Sequence, residues 1–143
     1  MELFINDNQL VFEHSSTNKW AVEIDKIRLI GEYTTADGPW LDDYFFVFAE
    51  KEDEWYEAPN EAVKNHDFWE ILSEKLNFKV APSLFASTQW DSKVLFPKDM
   101  KGQKLFQVIT EKKPARTLWQ KLMGSSAKTE KIAFAENVKK IFN

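Results

Sequence analysis

The chain has 143 residues, a net charge of −4, a hydrophobic fraction of 43% and an aromatic fraction of 15%. That length supports one sizeable core, and the aromatic content excludes global disorder. The absence of cysteine excludes a disulfide framework, a thiolate nucleophile and a thiolate zinc site, and fits a reducing, cytoplasmic setting. The opening residues carry Glu2, Asp7 and Glu13 before any Lys or Arg, with no signal-peptide core behind them. The longest apolar run, Tyr44 to Ala49, is far short of the roughly 20 residues of a membrane-spanning helix. The expectation is a single domain over 1–143 with no transmembrane segment.

Glu2 to Asn6 and Gln9 to Glu13 read as strands around Asp7-Asn8, a pair that tolerates the left-handed geometry of a hairpin turn. After a Ser15-to-Asn18 turn, Trp20, Val22 and Ile24 share one face of a third strand. Ile27, Leu29, Gly31 and Tyr33 then alternate against Arg28, Ile30, Glu32 and Thr34. Apolar residues on both sides predict a central strand. The loop Ala36 to Asp43 carries Gly38-Pro39 and leads to a strand from Tyr44 to Glu50; Trp55 and Tyr56 belong to the next, closed by Pro59.

From Asn60 the period becomes helical. Phe68, Trp69, Leu72 and Leu76 share a face, with Asn60 or Asn65 as N-cap. Lys79 to Ser92 reads as a loop, Val94 to Phe96 and Lys104 to Thr110 as strands. Pro114 and Gly124 bracket a short helix with Leu118, Trp119 and Leu122 inward. Thr129 caps a last helix whose face holds Ile132, Ala135, Val138 and Phe142. The fold class that follows is α+β: a bent, mostly antiparallel sheet or partly open barrel, one central helix and two C-terminal helices. A strand meander followed by a helix, with the apolar alternation of Trp20 to Ile30, resembles pleckstrin-homology-like barrels in outline. The resemblance covers the first half, departs by placing a helix before the last strands, and carries over no functional residue.

Catalytic groups are scarce. His14 and His66 are the only histidines, no Gly-x-Ser-x-Gly frame surrounds a serine, and no His-x-x-x-His spacing exists. Asp37, Asp42 and Asp43 share a loop but lack the Asp-x-Asp-x-Asp-Gly pattern of a calcium site, and an acidic Asp-Gly-Pro turn explains them. Four glycines form no phosphate cradle. The expectation is no metal, no cofactor and no catalytic residue.

Charge is uneven. Residues 1–97 hold 8 Lys/Arg against 19 Asp/Glu, whereas 98–143 hold 11 against 4. Between Glu32 and Glu61, ten acids face Lys51 alone and interleave with aromatic residues. Aromatics supply contact area and carboxylates steer encounter, so this composition suits capture of a basic protein partner by a non-catalytic inhibitor or immunity-type module. Its candidate residues are Trp40, Asp37, Asp42, Asp43, Trp55 and Tyr56. An alternative is a ligand or enzyme pocket in the curved sheet, lined by Trp20, Tyr33 and Trp55 with Glu32 or His66 as polar group. A third is membrane or nucleic-acid contact through the basic end, Lys112 to Lys140. Specific nucleic-acid binding is disfavoured by the acidic pI near 5.3.

Overall fold

A computed structural model describes residues 1–35, 44–84, 91–111 and 129–142, with the backbone alone for 107–111 and 129–133. Strands β1 (Glu2–Asn6), β2 (Gln9–Glu13) and β3 (Lys19–Glu23) form an antiparallel meander. Its β1–β2 turn sets Asp7 at φ 53°, the left-handed region that Asp and Asn tolerate best among residues with a Cβ. The Ser15 Oγ accepts from the Asn18 N–H at 3.0 Å and closes the next turn. Pairing aligns Leu3, Phe12 and Trp20 in one row and Ile5, Leu10 and Val22 in another.

A second antiparallel sheet follows, ordered β6-β5-β4-β7, from β4 (Leu29–Thr34), β5 (Tyr44–Lys51), β6 (Glu54–Pro59) and β7 (Asp91–Phe96). A single bent sheet was one reading of the sequence; instead the ladder breaks between β3 and β4. Ile24–Lys26 turn as one 3₁₀ helix there, so neither Ile24 nor Ile27 continues a strand. Ile24 is nevertheless fully buried, and its N–H donates to the Asn8 carbonyl at 2.9 Å. The described strands do not close into a barrel. The α+β class with antiparallel, bent sheets is what the chain adopts.

Helix α1 (Phe68–Leu76) starts later than either asparagine cap would place it. Asn60–Ala62 is a separate 3₁₀ turn, and Asn65 closes the turn ahead of α1 by accepting the Asp67 N–H at 2.9 Å. Asn77 ends α1 in left-handed geometry at φ 53°. Residues 79–84 are irregular as expected, but β7 begins at Asp91 rather than Val94, and the last ladder strand before the C-terminal region, β8 (Phe106–Glu111), begins two residues late.

The larger correction concerns Thr129. Thr129–Phe134 is strand β9, paired antiparallel with β8 from Phe106↔Phe134 to Glu111↔Thr129, where the sequence suggested the start of a helix. The spacing of Ile132, Ala135, Val138 and Phe142 left out Phe134, which is 1% exposed. A strand sends Phe134 inward and satisfies the β8 ladder; a helix would leave that backbone unpaired. Helical geometry begins only with α2 (Glu136–Lys139). The suggested helix between Pro114 and Gly124 lies outside the described residues, as does the loop holding Asp37, Trp40, Asp42 and Asp43.

The second sheet separates two cores. Ile30, Phe46, Phe48 and Leu95 meet Leu3, Leu10, Phe12, Ile24, Phe68 and Leu72 on one side. On the other, Leu29, Val47, Ala49 and Val94 meet Leu105, Phe134 and Val138. Both faces of β4 and β5 are therefore buried, which is why these strands carry near-continuous apolar sequence.

Candidate functional site

Strand alternation sends neighbours on β4 to opposite faces, and this separates two carboxylates with different surroundings. Glu32 faces the first core and is fully buried. It accepts from the Tyr44 hydroxyl at 2.5 Å, the Ser83 hydroxyl at 3.0 Å, the Ser83 N–H at 3.0 and 3.1 Å and the Leu84 N–H at 3.4 Å. Burial, then hydrogen bonding to Glu32 and its charge, raise the Tyr44 pKa well above the usual tyrosine value. With its oxygens saturated and no solvent exposure, Glu32 ties the irregular segment 79–84 to the sheet and has no free lone pair to offer a substrate.

Tyr33, the next residue, faces the second core side and meets a different carboxylate. Its hydroxyl donates to Glu57 Oε2 at 3.0 Å, and the Trp55 indole donates to Glu57 Oε1 at 3.1 Å. Trp55 and Glu57 lie two apart on β6 and so share a face. Tyr33 reaches them across β5, where Val47 pairs with both Gly31 and Glu57. Around them, the Tyr33 ring stacks on Phe45 at 5.1 Å and meets Phe106 edge-on at 5.3 Å; Phe106 lies 5.9 Å from Trp55. Tyr33, Phe45, Trp55, Glu57 and Phe106 all keep part of their surface in solvent. Burial, then the Glu57 charge, push the Tyr33 pKa above its usual value, because a tyrosinate would sit against a carboxylate.

The structure divides the residues singled out from sequence. Trp20 lies on the opposite side of β6, against Phe12, Phe48 and Tyr56, and its indole donates to the Glu57 carbonyl at 3.1 Å. That bond protects a backbone group on an edge strand. Tyr56 faces the same way and donates to Glu54 Oε1 at 3.0 Å; that bond raises its pKa. The His66 side chain is 93% exposed, its Nε2 3.8 Å from Asp67 Oδ1. Trp20, Tyr33, Glu32 and His66 therefore do not converge on one pocket. Tyr33 and Trp55, two of the residues expected to line the pocket, do come together, but at Glu57, a residue that neither candidate set contained. The signal for Glu57 was present as its two-residue spacing from Trp55, but its partner Tyr33 lies 24 positions away in sequence.

Among the described residues, no cluster of His, Asp or Glu has the geometry of a metal site. An open groove of about 650 Å³ runs beside α1, lined by Trp69, Glu70, Ser73, Glu74, Asn77, Phe78, Lys79 and Val80, away from the residues expected to line a pocket. Of the basic residues expected to contact membrane or nucleic acid, Lys112, Lys113, Arg116, Lys121 and Lys128 lie outside the described residues. No described helix is long and apolar enough to cross a membrane.

The β5–β6 turn completes the surface. Lys51 pairs with Glu54 across a two-residue connection, Glu52-Asp53, and the register shifts between Ala49 and Lys51, leaving Glu50 as an extra residue. Such a bulge bends the hairpin where four acids cluster. The hairpin thus joins an acidic tip to the aromatic frame of Trp55 and Glu57 within five residues. No family model, no curated protein and no solved structure matches the chain.

Proposed function

We propose that the protein is a non-catalytic binding module that captures a basic protein partner on the surface formed by the β5–β6 hairpin and the adjoining aromatic residues. The observation that carries this reading is that the acidic tip, Glu50 to Glu54, runs directly into Trp55, which packs beside the partly exposed Phe106 and, through it, Tyr33. Exposed carboxylates steer a cationic partner, and large rings supply desolvated contact area at little conformational cost. The polar groups proposed for a pocket are otherwise engaged or apart: Glu32 is buried with its oxygens taken up by Tyr44, Ser83 and Leu84, and the His66 side chain stands exposed on a turn.

The test uses nona-arginine as a basic probe and calorimetric titration at low salt. Reversing the tip with Glu52→Lys and Asp53→Lys is expected to weaken binding by about tenfold or more. Glu70→Lys with Glu74→Lys, on α1, changes net charge equally and is expected to leave affinity within about twofold. Equal losses from both pairs would reduce the effect to net charge and sink the assignment of the surface.

A further inference from the structure

Glu57 receives one neutral donor on each carboxylate oxygen. Such donors satisfy lone pairs but do not balance the charge, whose field is strong against the low-dielectric surface of the surrounding rings. Among the described residues no Lys, Arg or His forms an ion pair with Glu57. Among the described residues, the side chains that frame it from β4, β5, β6 and β8 are Tyr33, Phe45, Val47, Trp55 and Phe106, none of them cationic. The Tyr33 hydroxyl and the Trp55 indole N–H lie in the planes of their rings, so the Glu57 carboxylate stands at the ring edges. A partly exposed anion bordered by aromatic rings is complementary to a cation that is flat and weakly hydrated, able to meet the carboxylate and pack on apolar ring surface. Guanidinium meets both conditions better than ammonium does.

We infer that Glu57, with Tyr33, Trp55 and Phe106, is the receptor for a single arginine side chain of the basic partner. The inference rests on the binding-module reading above and names the group that the surface recognises. Each part has a role. The carboxylate supplies charge and acceptor capacity, since each oxygen has a second lone pair beyond the bond it already accepts. Tyr33 and Trp55 fix its orientation before binding, which reduces the ordering cost. Phe106 spans the two rings and carries the frame onto β8. The β5–β6 tip acts earlier, on the encounter, while Glu57 acts on the lifetime of the complex.

N-acetylarginine amide and nona-arginine are the probes, at constant ionic strength, with the Trp55 indole N–H resonance as reporter and Trp55→Phe to assign it. Glu57→Gln keeps a carbonyl oxygen to accept from the Trp55 indole and offers an amide N–H that the Tyr33 hydroxyl can accept, while removing the charge, so the fold is expected to survive. The expected result is a saturable shift of the Trp55 indole resonance with N-acetylarginine amide, weakened about tenfold or more in Glu57→Gln, and a similar loss for nona-arginine. Nona-arginine binding that falls with Glu52→Lys and Asp53→Lys, yet is indifferent to Glu57→Gln with an unmoved indole resonance, would overturn the arginine receptor and leave the binding surface standing. No binding of nona-arginine to the wild-type chain would overturn both.

Discussion

At the scale of single residues, two adjacent positions on β4 show how strand alternation assigns chemistry. Glu32 is sealed and saturated, whereas Tyr33 opens onto Glu57 and solvent. The chain has three tyrosines, and the pKa of each is raised: by burial first for Tyr33 and Tyr44, and by the Glu54 hydrogen bond first for Tyr56. A tyrosine whose folded pKa lies above its unfolded value of about 10 stabilises the fold fully below that pH. As pH rises past about 10 the unfolded chain releases protons that the folded chain retains, so stability falls. The folded protein should therefore show little tyrosinate absorbance at pH 10, where the urea-unfolded chain is about half ionised. Matching titrations in the two states would refute the hydrogen-bonded placement of these hydroxyls.

At the scale of elements, β4, like β5, has both faces packed and both edges paired. Gly31 lies at its centre, where a Cβ would stand 2.5 Å from Leu105 Cδ2 and 2.8 Å from Cδ1. Leu105 is fully buried, so it has little room to give way. Gly31→Ala is expected to destabilise the protein by about 1–3 kcal/mol through overpacking. Leu105→Ala is costly alone, but in combination with Gly31→Ala its cost should be less than additive, as a double-mutant cycle by urea unfolding would measure. Strict additivity would mean that the two side chains do not meet. The same β8–β9 layer is where sequence periodicity was misleading. Ile132, Ala135, Val138 and Phe142 suit a helical face, yet the β8 backbone needed a partner, and the buried position of Phe134 fits only the strand.

At the scale of the molecule, the four-stranded sheet is the shared wall of two cores. Leu72 belongs to the core under α1 and Val138 to the core under α2, and both are fully buried. Loss of either core would expose one face of β4 and β5, so the two are expected to unfold together. Leu72→Ala and Val138→Ala should each lower the urea midpoint, the loss of unfolding free energy being about 2–5 kcal/mol for the leucine and somewhat less for the smaller valine. Far-ultraviolet circular dichroism and tryptophan fluorescence should follow one coincident transition in both variants. Two separated transitions in the Val138 variant would show that the second core melts by itself.

The sequence by itself determined the elements whose signals are local. These are the β1–β2 hairpin at Asp7-Asn8, the two-faced strand through Gly31, the helix through Phe68 and Leu72, and the acidic, aromatic character of the stretch from Glu32 to Glu61. Turn chemistry and apolar period act within a few residues, so they can be read along the chain. Only the tertiary structure decided that Thr129–Phe134 pairs as a strand, that Glu32 is consumed by Ser83, Leu84 and Tyr44, and that Tyr33 and Trp55 converge on Glu57. Each of these depends on partners remote in sequence, and hydrogen bonds and ring contacts form between whichever groups packing brings within reach, regardless of their order in the chain.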